Sequence, residues 1–263
     1  MKICCLVKEV PDAAVQKRID PSTKRLDRNG EKTLNPFDTH GIEAAMQIRE
    51  GGKAEVDEVV AVTMGPESAL RALHKAVALG ADRSLHLTDS ALEGSDVCAT
   101  GYALAQALAS EQPDLVLLGQ QSDDGECYTI GAVVADHLKM PSLTQVIQIE
   151  VEDGKLICER QAEYGYDTVE VDLPAVISVG DAINEPRYPS LKAIMGAKKK
   201  PLETKSTGDL GIEADRVGEE GSKTQVLEIN PPPAKETGEI IEDEDTNETV
   251  EKVVAWLEER KLL

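Results

Sequence analysis

Through the first half of the chain, short apolar runs alternate with stretches whose apolar positions recur every three or four residues. The runs Ile3 to Val7, Val59 to Thr63 and Leu115 to Gly119 are mainly apolar on both parities, which is how strands covered on both faces read, and the short run Ser84 to Leu87 joins them as a fourth strand. Between and after them, Asp38 to Glu50, Pro66 to Leu79, Asp96 to Ala109 and Thr129 to Leu138 carry helical periodicity. In Ser68 to Leu79 the apolar stripe is continuous, and Gly80 supplies the stop. Strand followed by helix, repeated, predicts an α/β domain: a parallel sheet with helices on both faces.

The pattern changes from Thr144 to Gly180, where Gln145 to Val151, Leu156 to Arg160, Thr168 to Leu173 and Ala175 to Val179 read as strands without helices between them. Glu152-Asp153-Gly154 separates the first two, and Asp-Gly between alternating runs is a hairpin signal, so an antiparallel β region is expected. Beyond Asn184 the chain turns rich in Pro, Lys and Glu, and Pro231-Pro232-Pro233 fixes an extended piece. The acidic run Glu242-Asp243-Glu244-Asp245 precedes Val250, Val253, Val254 and Leu257 at helical spacing, predicting an arm that ends in a docked amphipathic helix.

Charge narrows the partners. With 28 Lys and Arg against 49 Asp and Glu, the 263 residues carry a net charge of -21, which disfavours nucleic acid and anionic membrane surfaces. No run reaches the ~20 apolar residues of a membrane span, and Met1 to Cys5 has no signal-peptide layout, so a cytoplasmic protein, or one of the mitochondrial matrix, is expected. Cys4, Cys5, Cys98, Cys127 and Cys158 are scattered and odd in number, and His40, His74, His86 and His137 lack ligand spacing, so neither a disulfide framework nor a metal centre is expected.

Four segments could carry chemistry. The strand ending at Gly119 runs into Gln120-Gln121-Ser122-Asp123-Asp124-Gly125-Glu126-Cys127-Tyr128-Thr129-Ile130-Gly131, a polar loop before a helix. A helix start offers unpaired N–H groups to a phosphate, although an ordinary connecting loop has the same look, and neither G-x-G-x-x-G nor a Walker pattern is present. Asn35-Pro36-Phe37-Asp38 precedes a helix; Pro36 and a capping Asp38 explain much of it, while Phe37, the one phenylalanine, could pack on a base or a flavin edge. Met64-Gly65-Pro66 is either a turn or a site wall. The fourth segment, Asn184 to Pro201, is stiffened by Pro186 and Pro189 and carries Tyr188, Leu191, Ile194, Met195 and a lysine cluster; its apolar residues either face the core or form a docking surface.

Together, Asn35 to Asp38, Gly80-Ala81-Asp82-Arg83, the Gly119 to Gly131 loop and above all Asn184 to Lys200 resemble the beta subunit of electron transfer flavoproteins, in order from Lys2 to about Pro201. The resemblance implies a Rossmann-like, adenine nucleotide alpha hydrolase-like fold over residues 1–200, with an arm and terminal helix at 201–263 docking on an alpha subunit that holds most of a redox FAD. It implies a structural AMP lined by Leu6, Asn35, Pro36, Phe37, Asp38, Met64 and Gln120 to Gly131. It also implies a docking anchor, Leu191, framed by Tyr188, Pro189, Ile194 and Met195. Partners would be acyl-CoA or other flavin dehydrogenases and a quinone oxidoreductase acceptor, as in fatty acid β-oxidation, with no residue acting as acid, base or nucleophile. Some relatives carry a second FAD instead of AMP and bifurcate electrons from NADH; the full Asn184 to Tyr188 stretch favours AMP. Departures at Glu159 to Tyr166 and at Ala13 bear on flavin contacts. A stand-alone adenine-nucleotide sensor is the alternative of another class.

Overall fold

A computed structural model describes residues 1–230, 233, 238, 240 and 245–263. These fall into two units, Met1–Leu227 and Glu228–Leu263.

The first unit begins with β1 (Lys2–Leu6), four short strands β2 (Glu9–Pro11), β3 (Ile19–Asp20), β4 (Arg25–Leu26) and β5 (Lys32–Leu34), and then α1 (Pro36–Gly51). There follow β6 (Glu58–Met64), α2 (Leu70–Leu79), β7 (Arg83–Leu87), α3 (Val97–Glu111), β8 (Leu115–Gly119) and α4 (Ile130–Leu138). The chain continues through β9 (Ser142–Glu152), β10 (Lys155–Ala162), β11 (Gly165–Asp172), β12 (Ala175–Val179), α5 (Leu191–Ala197), β13 (Leu202–Lys205) and the short α6 (Gly218–Gly221).

One nine-stranded sheet, ordered β11-β10-β9-β12-β8-β1-β6-β7-β13, organises this unit. From β9 through β12 to β13 neighbouring strands are parallel, and only the β9-β10-β11 meander is antiparallel. The fold is the α/β arrangement read from the sequence. One strand of the helix-free run behaves differently from its neighbours there: β12 leaves the meander and inserts between β8 and β9, parallel to both. Its five residues, Ala-Val-Ile-Ser-Val, are all buried, so it needs cover on both faces, which an edge hairpin lacks.

Side chains of successive strand residues divide between two cores. Ile3, Cys5, Val59, Ala61, Leu115 and Leu117 pack with Ile42 and Met46 of α1 and Leu73 of α2. Cys4, Leu6, Val60, Val62, Val116 and Leu118 pack on the opposite face with Tyr102 and Leu108 of α3 and Val134 of α4. This period-two division of strands with apolar residues on both faces is why they read as continuous runs.

Strand order reverses at β1. The chain moves to β6 and β7 on one side, then returns through α3 to lay β8 on the other. The carboxyl ends of β1 and β8 diverge there, and such a switch point leaves a crevice above the sheet.

The second unit carries α7 (Thr246–Glu259), capped by Asp245, whose side chain accepts from the Asn247 N–H, with Val250, Val253, Val254 and Leu257 on one helical stripe. Pro231, Pro232 and the acidic residues 242–244 lie outside the described residues.

Candidate functional site: a cavity at the switch point

The crevice is a cavity of about 370 Å³. Leu6, Val7 and Lys8 enter it from the end of β1, Met64 from β6, and Leu118 to Ser122 from the end of β8. Gly125, Cys127, Tyr128 and Ile130 close the loop side, Asn35 and Asp38 the α1 side. The facing wall is the start of α3: Ser95, Asp96, Val97, Thr100 and Leu104.

Two buried polar residues hold the frame. Asn35 donates from Nδ2 to the Gln121 carbonyl at 2.8 Å and accepts the Asp123 N–H on Oδ1 at 3.1 Å, while its own N–H reaches the Lys8 carbonyl at 2.9 Å. One residue, through its side chain and its backbone N–H, thus ties the start of α1 to both strand ends. Asp38 was expected to cap its helix; instead Asn35 is the N-cap residue, Pro36 opens α1, and the Asp38 carboxylate accepts the N–H of Lys8 at 2.8 Å and of Gly119 at 3.3 Å. Both oxygens are used by neighbouring strand ends, so none is left for the helix's own first turn.

Burial pushes the Asp38 carboxyl up to about 7, against the opposing pull of hydrogen bonds from Asn35, Lys8 and Gly119. Because its ordinary value is ~3.9, the folded chain holds this proton where the unfolded chain releases it. The associated stability is complete below about pH 4 and is lost as pH rises to about 7, an effect on the order of a few kcal/mol. Asp38→Asn keeps the neutral shape but meets one strand N–H with an amide donor. It is expected to cost about 1–3 kcal/mol and to flatten this pH slope, as read by urea unfolding between pH 4.5 and 7.5; a variant with the unaltered slope would contradict the assignment.

The acidic loop is neutralised from below. Asp124, with its side chain fully covered, takes Lys8 Nζ at 2.7 Å and Arg28 Nε at 2.9 Å; burial raises its carboxyl, and the two cations outweigh that and hold it below the usual range. Lys17 pairs with Asp123 at 3.0 Å, and Lys8 also reaches Ser122 Oγ at 3.2 Å. Above these pairs the backbone turns sharply, with Glu126 and Tyr128 in the left-handed region. It then enters α4 at Thr129, whose side chain does not cap. The Thr129 side chain thus leaves the first N–H groups of α4 uncapped, beside a cavity that Ile130 lines. Gln121 Oε1 is buried and has no hydrogen-bond partner among the described residues.

Of the sequence-predicted positions, Leu6, Asn35, Asp38, Met64, Gln120, Gln121, Ser122, Gly125, Cys127, Tyr128 and Ile130 line the cavity. The others stand outside that lining for definite reasons. Pro36 is spent on the helix start, the Phe37 backbone packs against Gly119, and Asp123 and Asp124 are turned to Lys17, Lys8 and Arg28. Glu126 and Thr129 face solvent, and Gly131 lies under Leu118. The α3 wall and Lys8 were not anticipated; Asp96 before an apolar helix was the available signal for the former, since it caps α3 through the Ala99 N–H at 2.9 Å.

The other candidate segment lies elsewhere in the same unit. Leu191 is 79% exposed and Tyr188 97%, and Met195 and Ile194 are also open to solvent. The core-facing alternative for these residues is thereby set aside: Ala197 is the buried residue of α5, and Ser190 caps the helix from the Ala193 N–H at 3.1 Å. Pro189 is half-buried. Among the described residues no group of His, Cys, Asp and Glu is placed to hold a metal, and no helix is long and apolar enough to cross a membrane.

A parallel sheet with a crevice at its switch point, roofed by a polar loop and an uncapped helix start, defines an α/β domain of the nucleotide-binding class. The family model described as "Electron transfer flavoprotein domain" matches residues 23–210. The chain is 40% identical over 265 residues to the electron transfer flavoprotein subunit beta of Mycobacterium tuberculosis, covering 99% of each chain. It is 39% identical over 267 residues to the protein of that name from Thermoanaerobacterium thermosaccharolyticum, and 37% over 265 residues to the caffeyl-CoA reductase-Etf complex subunit CarD of Acetobacterium woodii, each over 100% of both chains. The chain belongs to the electron transfer flavoprotein beta subunit family, whose members are electron-carrier subunits.

Proposed function

We propose that this chain pairs with an alpha subunit to form a cytoplasmic electron carrier, holds AMP in the switch-point cavity as a structural ligand, and supports the redox FAD of its partner. The cavity volume carries the nucleotide reading: about 370 Å³ is at the small end of the ~300–1,000 Å³ range of ligand sites, which suits a mononucleotide better than a dinucleotide. The apolar walls Leu6, Met64, Leu104 and Leu118 suit a base, the open N–H groups at the start of α4 suit a phosphate, and Gln121 Oε1 is an acceptor awaiting a donor. A flavin, where bound, supplies the one- and two-electron chemistry; the residues of this chain bind and orient.

Electrons would arrive from flavin dehydrogenases, acyl-CoA dehydrogenases among them, and leave to a quinone oxidoreductase, with the exposed Tyr188 to Met195 segment as the docking element. A second FAD in place of AMP, with NADH as donor, has one observation in its favour: a wider depression of about 750 Å³ shares Ser95 and Asp96 with the cavity. Acid extraction of the purified heterodimer followed by mass spectrometry separates the readings. One AMP and one FAD per heterodimer is expected; two FAD would replace the AMP assignment, and no adenine nucleotide at all would end it.

A further inference from the structure

The exposed segment is tied to α1 mainly through one side chain, Arg187. Arg187 lies along α1 and engages two of its glutamates, two turns apart. Nε and Nη2 donate to Glu43 at 2.7 and 3.0 Å, and Nη1 and Nη2 donate to Glu50 at 2.7 and 2.9 Å. The Arg187 N–H adds a bond to Glu43 at 3.2 Å. Glu43 is buried, although Glu is seldom found so and here has an arginine to justify it. Asn184 continues the seam, donating to the His40 carbonyl at 3.0 Å. None of these groups points toward the apolar anchors they precede: Tyr188 and Leu191 stand free of them in solvent.

We propose that Arg187 is a positioning residue for docking. Its fork fixes residues 184–188 on α1 so that Leu191 is presented in one pose before a partner arrives. A guanidinium meets two carboxylates in fixed planar geometry, which an ammonium cannot reproduce. Ordering the segment beforehand removes part of the entropy lost on association. The cavity groups Asn35 and Asp38 are held by Lys8, Gly119, Gln121 and Asp123 rather than by the fork, so its loss is expected to leave the nucleotide site intact.

This inference rests on the docking reading of Leu191, and the experiment separates the two. In the purified heterodimer, hydrogen exchange of residues 188–197 is measured together with KM and kcat of an acyl-CoA dehydrogenase for the complex, for Arg187→Ala, Arg187→Lys, Glu50→Ala and Leu191→Ala. Arg187→Ala is expected to speed exchange about tenfold and raise KM about tenfold, with kcat and nucleotide content unchanged. Arg187→Lys should recover less than half of that loss. Glu50→Ala, a surface change that keeps the chain foldable if Arg187→Ala does not, should raise KM about threefold. Leu191→Ala should raise KM without changing exchange. If Leu191→Ala raises KM while Arg187→Ala and Glu50→Ala leave it within twofold, the positioning role is wrong. Loss of bound nucleotide in Arg187→Ala, or full rescue by lysine, also overturns it. If Leu191→Ala leaves KM unchanged, the docking reading itself fails and this inference with it.

Discussion

Gly119→Ala is expected to destabilise the chain by about 3 kcal/mol, at the upper end of what overpacking costs, and, on the proposed AMP reading, to lower the nucleotide content of the purified protein. A Cβ at Gly119 would lie 2.6 Å from the carbonyl carbon and the Cβ of Phe37, and 2.8 Å from the Asp38 nitrogen. Two of these are backbone atoms at the start of α1, which have no rotamer to yield. Either β8 or α1 must retreat, and α1 is pinned by the Asn35 bonds to Lys8, Gln121 and Asp123 and by Asp38 to Lys8. Relief therefore comes by breaking the Asp38 bond to the Gly119 N–H and parting the two elements that form the cavity floor. Urea unfolding together with nucleotide content reads both effects. Gly196→Ala is the control: no atom lies within 4 Å of its Cβ position, and an alanine in α5 should be neutral or slightly stabilising. A Gly119→Ala protein that unfolds within ~0.5 kcal/mol of the original, the range of inert surface changes, and retains its nucleotide would show that the contact yields easily.

Local pattern carried the large elements because each is decided by its own residues. The stripe closing at Gly80 became α2 with Gly80 at φ 140° as its C-cap, preceded by a turn of 3₁₀ helix at Glu67–Ala69. Asp153 and Gly154 both adopt positive φ, as a two-residue hairpin requires, and join β9 to β10. What escaped was either too short or settled elsewhere. β2 to β5 are two or three residues each, below the length at which a period can be read. β13, Leu-Glu-Thr-Lys, is exposed and lacks an apolar run; the β7 edge beside it makes it a strand, a fact that no local signal contains.

The site divides the same way. Positions contributed by the strand-to-helix loop and by Asn35 to Asp38 could be singled out from composition and punctuation, and many of them line the cavity. Whether each faces ligand space depends on partners about a hundred residues away. Asp123 and Asp124 look like site acids in the sequence, yet Lys17, Lys8 and Arg28 claim them. The α3 wall becomes adjacent only because β8 returns to the far side of β1 and carries its preceding helix with it. Knowledge of strand order would have supplied it.

At the docking segment the largest kinetic effect is expected from Leu191. Its side chain stands at the first turn of a helix seven residues long, 79% exposed, with Tyr188 on one side and Met195 one turn further on. Exposure of this kind has a cost in water that folding alone does not repay, since burying a leucine is worth about 1.5–3 kcal/mol. On the proposed docking reading a partner's pocket would recover it, since anchors in desolvated pockets account for most of the energy of an interface. Leu191→Ala should therefore raise the KM of a donor dehydrogenase for the carrier by roughly ten- to a hundredfold, the equivalent of about 1.4–2.8 kcal/mol, with the unfolding midpoint unchanged because the residue makes no core contact. Leu191→Asp should go further, since the pocket would then have to strip water from a charge. The lysines at 192, 198 and 199 are exposed around the anchor, a local positive cluster in a chain of net charge -21. Raising ionic strength should then act on the on-rate while Leu191→Ala acts on the off-rate, and stopped-flow reduction of the heterodimer at several salt concentrations distinguishes the two. Equal rates for the original and Leu191→Asp proteins at low carrier concentration would mean that electrons enter through another face.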